Sequence, residues 1–237
     1  VAALASFLGR NNPFQYSSFI QVTNSGTLLD GSLTAPDQVN LTLDGTGTLA
    51  TSQWTTFTNA AATITGGTHN FSSLATITNS GFSASGGAAV SLPAVTSYTT
   101  TPGAQPIWQA SGIGSTLTLA GLTTITGDST NSSSLIRINA LSGGHVTLAA
   151  LTSITGPVQL QSDGANSQID VSALASFLGR NNPFQYSSFI QVTNSGTLLD
   201  GSLTAPDQAT LTLDGTATLA PTQWTTFPPP APPTTVG

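Results

Sequence analysis

Residues 146–156 read Val-Thr-Leu-Ala-Ala-Leu-Thr-Ser-Ile-Thr-Gly. Apolar residues alternate with small polar ones on both sides of Leu151, and the run closes on glycine. That is the pattern of short strands ended by a tight turn. Taking Leu151 as an anchor, equivalent positions are Leu4, Leu33, Trp54, Leu74, Val95, Leu122, Leu174, Leu203 and Trp224, spaced 20 to 29 residues apart. Three further columns align on these anchors. Three residues after them stand Phe7, Pro36, Phe57, Ile77, Tyr98, Ile125, Ile154, Phe177, Pro206 and Phe227. Five residues before them stand Leu28, Leu49, His69, Val90, Leu117, Val146, Ile169, Leu198 and Leu219. Five residues after come Gly9, Gln38, Asn59, Asn79, Thr100, Gly127, Gly156, Gly179 and Gln208, mostly glycine or asparagine, which tolerate a left-handed turn.

A period of this length marks a solenoid. One coil has too little apolar surface to fold alone, and stacking supplies a continuous core. Segments such as Leu41-Thr42-Leu43, Ala62-Thr63-Ile64 and Ile136-Arg137-Ile138 read as the remaining strands of each coil. The expected fold is all-β, a single-stranded parallel β-helix (β-solenoid) of about ten coils, with neighbouring coils about 4.8 Å apart. A leucine-rich-repeat-like solenoid is the alternative, since its period overlaps this one. The asparagine of that repeat and helix formers for a convex side are both missing.

A longer repeat is superimposed. Residues 1–57 recur as 171–227, an offset of 170, and Ala3 to Gln38 are identical to Ala173 to Gln208. Ala2/Ser172, Val39/Ala209, Asn40/Thr210, Gly47/Ala217, Thr51/Pro221 and Ser52/Thr222 are the differing pairs. The domain reading is a solenoid over 1–227 built from a 170-residue cassette, then a proline-rich linker or tail over 228–237 (PPPAPPTTVG), which is extended and semi-rigid.

Composition narrows the function. Only 5% of the 237 residues are charged, with three Arg, nine Asp, no Lys and no Glu, for a net charge of −6. No basic footprint exists for nucleic acid and no polybasic patch for anionic lipid. Cysteine is absent, which removes disulfides, thiolate metal sites and a cysteine nucleophile. No run approaches 18 apolar residues, so no helical membrane span is expected. Methionine is also absent, so the chain reads as processed or as part of something longer.

The LTTITG, LTSITG and LATITN units (122–127, 151–156, 74–79), with intervening SGG and DGTGTLA, resemble giant bacterial β-strand-repeat surface proteins. They are also similar to filamentous-haemagglutinin and autotransporter-passenger β-solenoids. The resemblance implies an exported, elongated stalk or adhesin at the cell surface or outside the cell, and it carries over no catalytic residue. The main functional expectation is a structural stalk or spacer, or an extracellular fibre. Self is then the partner, end to end or through tandem repeats of the same chain.

The adhesive alternative has glycans or cell-surface proteins as partners, bound through insertion loops. The most distinctive loop is GRNNPFQYSSF, at 9–19 and again at 179–189. It offers Arg10, Asn11, Asn12, Phe14 and Tyr16, with copies Arg180, Asn181, Asn182, Phe184 and Tyr186. Amides, a guanidinium and aromatic rings suit such contacts, and repetition would make weak binding multivalent. The bland reading is a coil insertion whose rings cover the core.

An enzyme is not expected. Glycan-cleaving sites need clustered carboxylates, whereas Asp30, Asp44, Asp163, Asp200 and Asp214 each precede glycine in a turn pair. Asp30 and Asp37 are near in sequence and could approach across a turn. His69 reads as a core or edge histidine with a satisfied hydrogen bond, and His145 follows a Gly-Gly turn. The histidines lack a supporting cluster for zinc, so no metal and no cofactor are expected. Ice binding by a threonine-rich face is a remaining class, weakened by the variable coil length.

Overall fold

The computed structural model describes residues 4–10, 17–181 and 186–219. Every strand pairing among them is parallel, and the strands form a three-faced β-solenoid. The broad face is a nine-stranded sheet that runs in chain order from Ser18–Val22 through Ile136–Leu141 to Ala209–Leu213. The second face is a seven-stranded sheet from Thr68–Asn70 to Thr218–Leu219, preceded by the pair Thr27–Leu28 and Thr48–Leu49. The third holds Ser97–Thr99, Thr124–Thr126, Ser153–Thr155 and Ser176–Leu178, preceded by Ser6–Leu8 paired with Ala35–Asp37. Three parallel strands per coil, with no helix among the described residues, exclude the leucine-rich-repeat alternative.

The sequence columns are the physical rungs of these sheets. On the second face Val90, Leu117, Val146, Ile169, Leu198 and Leu219 pair in succession. On the third, Tyr98, Ile125, Ile154 and Phe177 do the same. Alternation explains the order: a strand's successive side chains point to opposite faces, so a one-residue slip would turn the apolar set outward. The anchors Trp54, Leu74, Val95, Leu122, Leu151, Leu174 and Leu203 are fully buried. Each such side chain contributes about 2 kcal/mol of transfer free energy. Leu4 departs from the expectation: it is 40% exposed, because no described coil stacks above it.

Aromatic packing fills the interior where the coils are shortest. Trp54, Phe57, Phe71 and Phe82 form a contiguous cluster with ring centroids 5.5 to 6.2 Å apart. The polar ends of buried rings are satisfied. Tyr98 Oη and Trp108 Nε1 both donate to the Ser80 carbonyl, at 3.2 and 3.0 Å. Trp54 Nε1 donates to Asp30 at 3.2 Å.

The column five residues after the anchor divides in two. Gln38, Asn59, Asn79, Gly156 and Gln208 have left-handed φ values between 52° and 93°, as expected of a tight corner. Gly9, Gly127 and Gly179 are not left-handed. At Gly9 and Gly179 a Cβ would stand 2.6 Å from the carbonyl oxygen of Gln38 or Gln208, so close backbone approach selects glycine there. Asn59 and Asn79 also build a ladder along this corner. Asn79 Nδ2 donates to Asn59 Oδ1, and Asn59 Nδ2 to Asp37 Oδ1, both at 2.8 Å.

Candidate functional site

The same corner, between the third face and the broad face, carries every large insertion. The loops 9–17, 100–106, 127–135 and 179–187 all leave it, each lying between a third-face strand and the broad-face strand that follows. These loops account for the longest coils, whereas the short coils cross the corner in one to three residues, as at Gln38 between Asp37 and Val39.

Successive loops are tied into a ridge. Gly103 N donates to Ser134 Oγ at 2.8 Å, and Leu135 N donates to the Ala104 carbonyl at 3.1 Å. Asp128 organises the 127–135 loop from within. Its carboxylate accepts from Ser134 Oγ and Thr130 Oγ1, each at 2.6 Å, and from the N–H groups of Thr130 and Asn131. The Ser134 hydroxyl, then that of Thr130, holds the Asp128 pKa down at about 2.

Arg180 closes the ridge. The next coil crosses the corner with only Gly156 and Pro157, and Arg180 reaches over that gap. Its guanidinium donates to the carbonyls of Asn131 (2.8 Å), Ser132 (3.3 Å), Ser134 (2.7 Å) and Tyr186 (2.9 Å). The side chain is 7% exposed. Burial pulls its pKa down, and the charge of Asp128 opposes that pull. Four carbonyls thus occupy the guanidinium of Arg180, one of the residues named above for surface contact. Its counterpart Arg10 is exposed. Tyr186 remains 44% exposed, with the Arg137 guanidinium 5.6 Å from its ring centroid, a cation–π arrangement. Asn181 is half-buried. Asn11, Asn12, Phe14, Tyr16, Asn182 and Phe184 lie outside the described residues, as do Trp224, Phe227 and the proline-rich 228–237 segment.

Beside the ridge, the outward side of the broad face carries a column the sequence reading missed. Gln21, Thr42, Thr63, Ser83, Gln109, Asn139, Gln161, Gln191 and Thr212 occupy nine consecutive rungs. Every member is an uncharged hydrogen-bonding side chain. Asn139 Nδ2 donates to Gln109 Oε1 at 3.4 Å, whereas the amides of Gln161 and Gln191 have no described partner. Where the 100–106 loop overhangs this face, an open groove of about 930 Å³ is lined by Asn79, Ser83, Thr101, Gln105 and Ile107 among others. The signal for the column was the middle residue of each alternating stretch, visible only once the stretches are placed in register.

The other candidate residues are bound into separate structural roles. Asp30 accepts from Trp54 Nε1 and Gln53 Nε2, whereas Asp37 accepts from Thr58 Oγ1 and Asn59 Nδ2. The two carboxylates thus belong to different networks. Asp44 and Asp214 cap turns. The Asn24 N–H, with the Thr46 hydroxyl and N–H, holds Asp44 at about 2, and Asn194 and Thr216 likewise hold Asp214 low. His69 is half-buried with Nε2 2.9 Å from the Gly66 carbonyl oxygen, and His145 Nε2 lies 2.9 Å from that of Asn166. Four threonines that stand one residue after an anchor use their hydroxyls internally. Thr34, Thr55, Thr123 and Thr152 donate to the carbonyls of Ala5, Thr34, Thr96 and Thr123, stitching coil to coil.

No known protein family, curated protein or solved structure matches the chain.

Proposed function

We propose that the chain is a spacer segment of an exported repeat protein, a rod that grows by whole cassettes. The observation that carries this reading is the junction between the two copies. Gln168–Asp170, at the end of the first cassette, pairs with His145–Thr147 on one side. On the other it pairs with Thr197–Leu199 of the second copy. The core continues across Asp170–Val171 with Ile169, Val171 and Leu174 fully buried. A cassette that stacks on itself without a change of register is a unit of length. A chain without cysteine has no thiol to oxidise or mispair, which is compatible with exposure outside the cell.

The test is a length series. Leu4 to Leu174 spans seven coils by the anchors, or about 34 Å at ~4.8 Å per coil. Chains with one, two and three cassettes, imaged by electron microscopy, should lengthen by that increment at constant width. Lengths that do not grow, or a width that does, would refute the spacer.

The adhesive reading is favoured by one specific observation, the run of neutral amides and hydroxyls flanked by the loop ridge. Such a surface is suited to the hydroxyls of a neutral polysaccharide laid along the axis. Retention on immobilised neutral glycans, lost in a Gln161→Ala, Gln191→Ala double variant, would support it. Equal retention of the variant would remove it.

A further inference from the structure

The outward side of the third face carries a periodic pattern of its own. Thr56-Phe57-Thr58, Thr76-Ile77-Thr78, Ser97-Tyr98-Thr99, Thr124-Ile125-Thr126 and Ser153-Ile154-Thr155 stand on consecutive coils. The middle residue of each is buried, so the two flanking hydroxyl residues face outward. Ser97, Thr124 and Ser153 pair in succession, as do Thr99, Thr126 and Thr155. Thr56 bridges Thr76 in parallel, and Asn59 N donates to the Thr78 carbonyl at 3.0 Å, which holds those two rungs in the same register. Asn79 and Thr101 join the two blocks at the corner through bonds of 2.8 Å. The insertions 100–106 and 127–135 leave after Thr99 and Thr126, so they lengthen the coils without shifting the rungs.

These hydroxyls are turned to solvent. Thr58 donates to Asp37 Oδ1 at 2.8 Å, and the other outward hydroxyls on these rungs have no protein partner among the described residues. Thr76, Ser97, Thr99, Thr124, Thr126 and Thr155 are exposed. No charged side chain stands on the five rungs, so the face complements a neutral surface and not an ion or a polyelectrolyte. The second face interrupts its hydroxyls with His145, Gln168 and Asp170, and the broad face carries long amides and Arg137. Threonine is stiff at its first side-chain torsion, and here the backbone beneath it is fixed by ladders. Ordering this array against a ligand therefore costs little entropy.

We infer that the outward side of the third face, from Thr56 to Thr155, binds the surface of ice. Its rungs lie about 4.8 Å apart, and its two files of hydroxyls lie about 6.7 Å apart, two residues along a strand. A rigid net with these two repeats approximates the oxygen repeats of an ice prism face. Each hydroxyl donates one hydrogen bond and accepts others, so it takes the place of a lattice water. The threonine methyls settle into the hollows between them. One such contact is weak, and many made at once on a single rigid face are multivalent. Liquid water has no fixed repeat, so the array is engaged all at once only by the crystal. Adsorbed chains then force the growing front to curve between them, which opposes its growth. This function is additional to the spacer role and uses a different face from the glycan reading.

The experiment grows ice slowly from a dilute solution of the full chain and measures protein in the ice and in the remaining liquid. The chain should be enriched in the ice at least about tenfold over a globular control protein, which growing ice rejects. A Thr99→Tyr, Thr126→Tyr pair places bulk in the middle of the face while keeping residues that strands accept. That pair should lose at least about tenfold of the enrichment. Thr68→Tyr, at an exposed position of the second face, should keep it. A denaturant titration of each variant checks the fold. Where the tyrosine pair lowers the midpoint, Thr99→Ala with Thr126→Ala takes its place, and the same loss is expected. Rejection of the unmodified chain by ice would overturn the inference, as would enrichment retained by the face variants. Equal loss in Thr68→Tyr would overturn the assignment to this face. The length series reads the rod alone, so the spacer and the ice face fail separately.

Discussion

Replacing Arg180 with methionine keeps most of the aliphatic stem and removes the guanidinium, so its effect isolates the ridge clamp. The side chain makes four hydrogen bonds to carbonyl oxygens. Bonds to a charged group contribute about 1.5–3 kcal/mol each when deleted singly, and carbonyls left buried without a donor add a desolvation cost. The four share one group and do not add, so a loss of roughly 3–5 kcal/mol is expected. Because neighbouring coils hold one another only through adjacent contacts, that loss should be local. Its readout is hydrogen exchange in a peptide covering 127–137, where at least about 3 kcal/mol corresponds to a hundredfold acceleration or more. Lysine should recover less than half of the loss, since one ammonium cannot reach four carbonyls in the geometry of the planar fork. Arg10→Met in the chain as it stands should cost less than Arg180→Met, because Arg10 is exposed. An Arg180→Met change below about 1 kcal/mol would refute the assignment of Arg180 as the element that ties loop to loop.

Asp128 gives a pH signature. Its folded pKa, about 2, lies below the ordinary 3.8, so its stabilising contribution is present above pH 3.8 and is lost as pH falls toward 2. Exchange in the 127–137 peptide, referenced to that of Gly81–Ser85, should rise through this window, and Asp128→Asn should flatten the rise. At Gly156, φ is 93° and an added Cβ would overlap the Gly127 carbonyl, so Gly156→Ala should cost about 3 kcal/mol or more in a denaturant titration. Gly87→Ala, with φ 80° but nothing within 4 Å of the new Cβ, should cost only the backbone strain of about 1–2 kcal/mol. Trp54→Phe keeps the apolar ring and removes the donor to buried Asp30. A loss of roughly 1–3 kcal/mol is expected in the same titration, and no loss would show that the Trp54–Asp30 bond is energetically idle.

The solenoid was legible in the sequence because its determinants are local and periodic. Alternation around Leu151 fixes strands, and the spacing of Leu117, Val146 and Ile169 fixes which residues stack. A parallel stack pairs like with like, so aligning the sequence with itself amounts to aligning the strands. The duplication, read directly from Ala3–Gln38 and Ala173–Gln208, identified the cassette. Three things were decided only by the tertiary structure. Insertion loops of unlike sequence share one corner, each lying between a third-face strand and the broad-face strand that follows. The polar column of the broad face exists only when strands some 20 to 30 residues apart are brought into register. Arg10 and Arg180 stand in identical local sequence and differ in burial, because the loop that receives Arg180 lies 46 to 49 residues before it. Local sequence sets what a residue can bind, and the stacking of coils sets whether the partner is there.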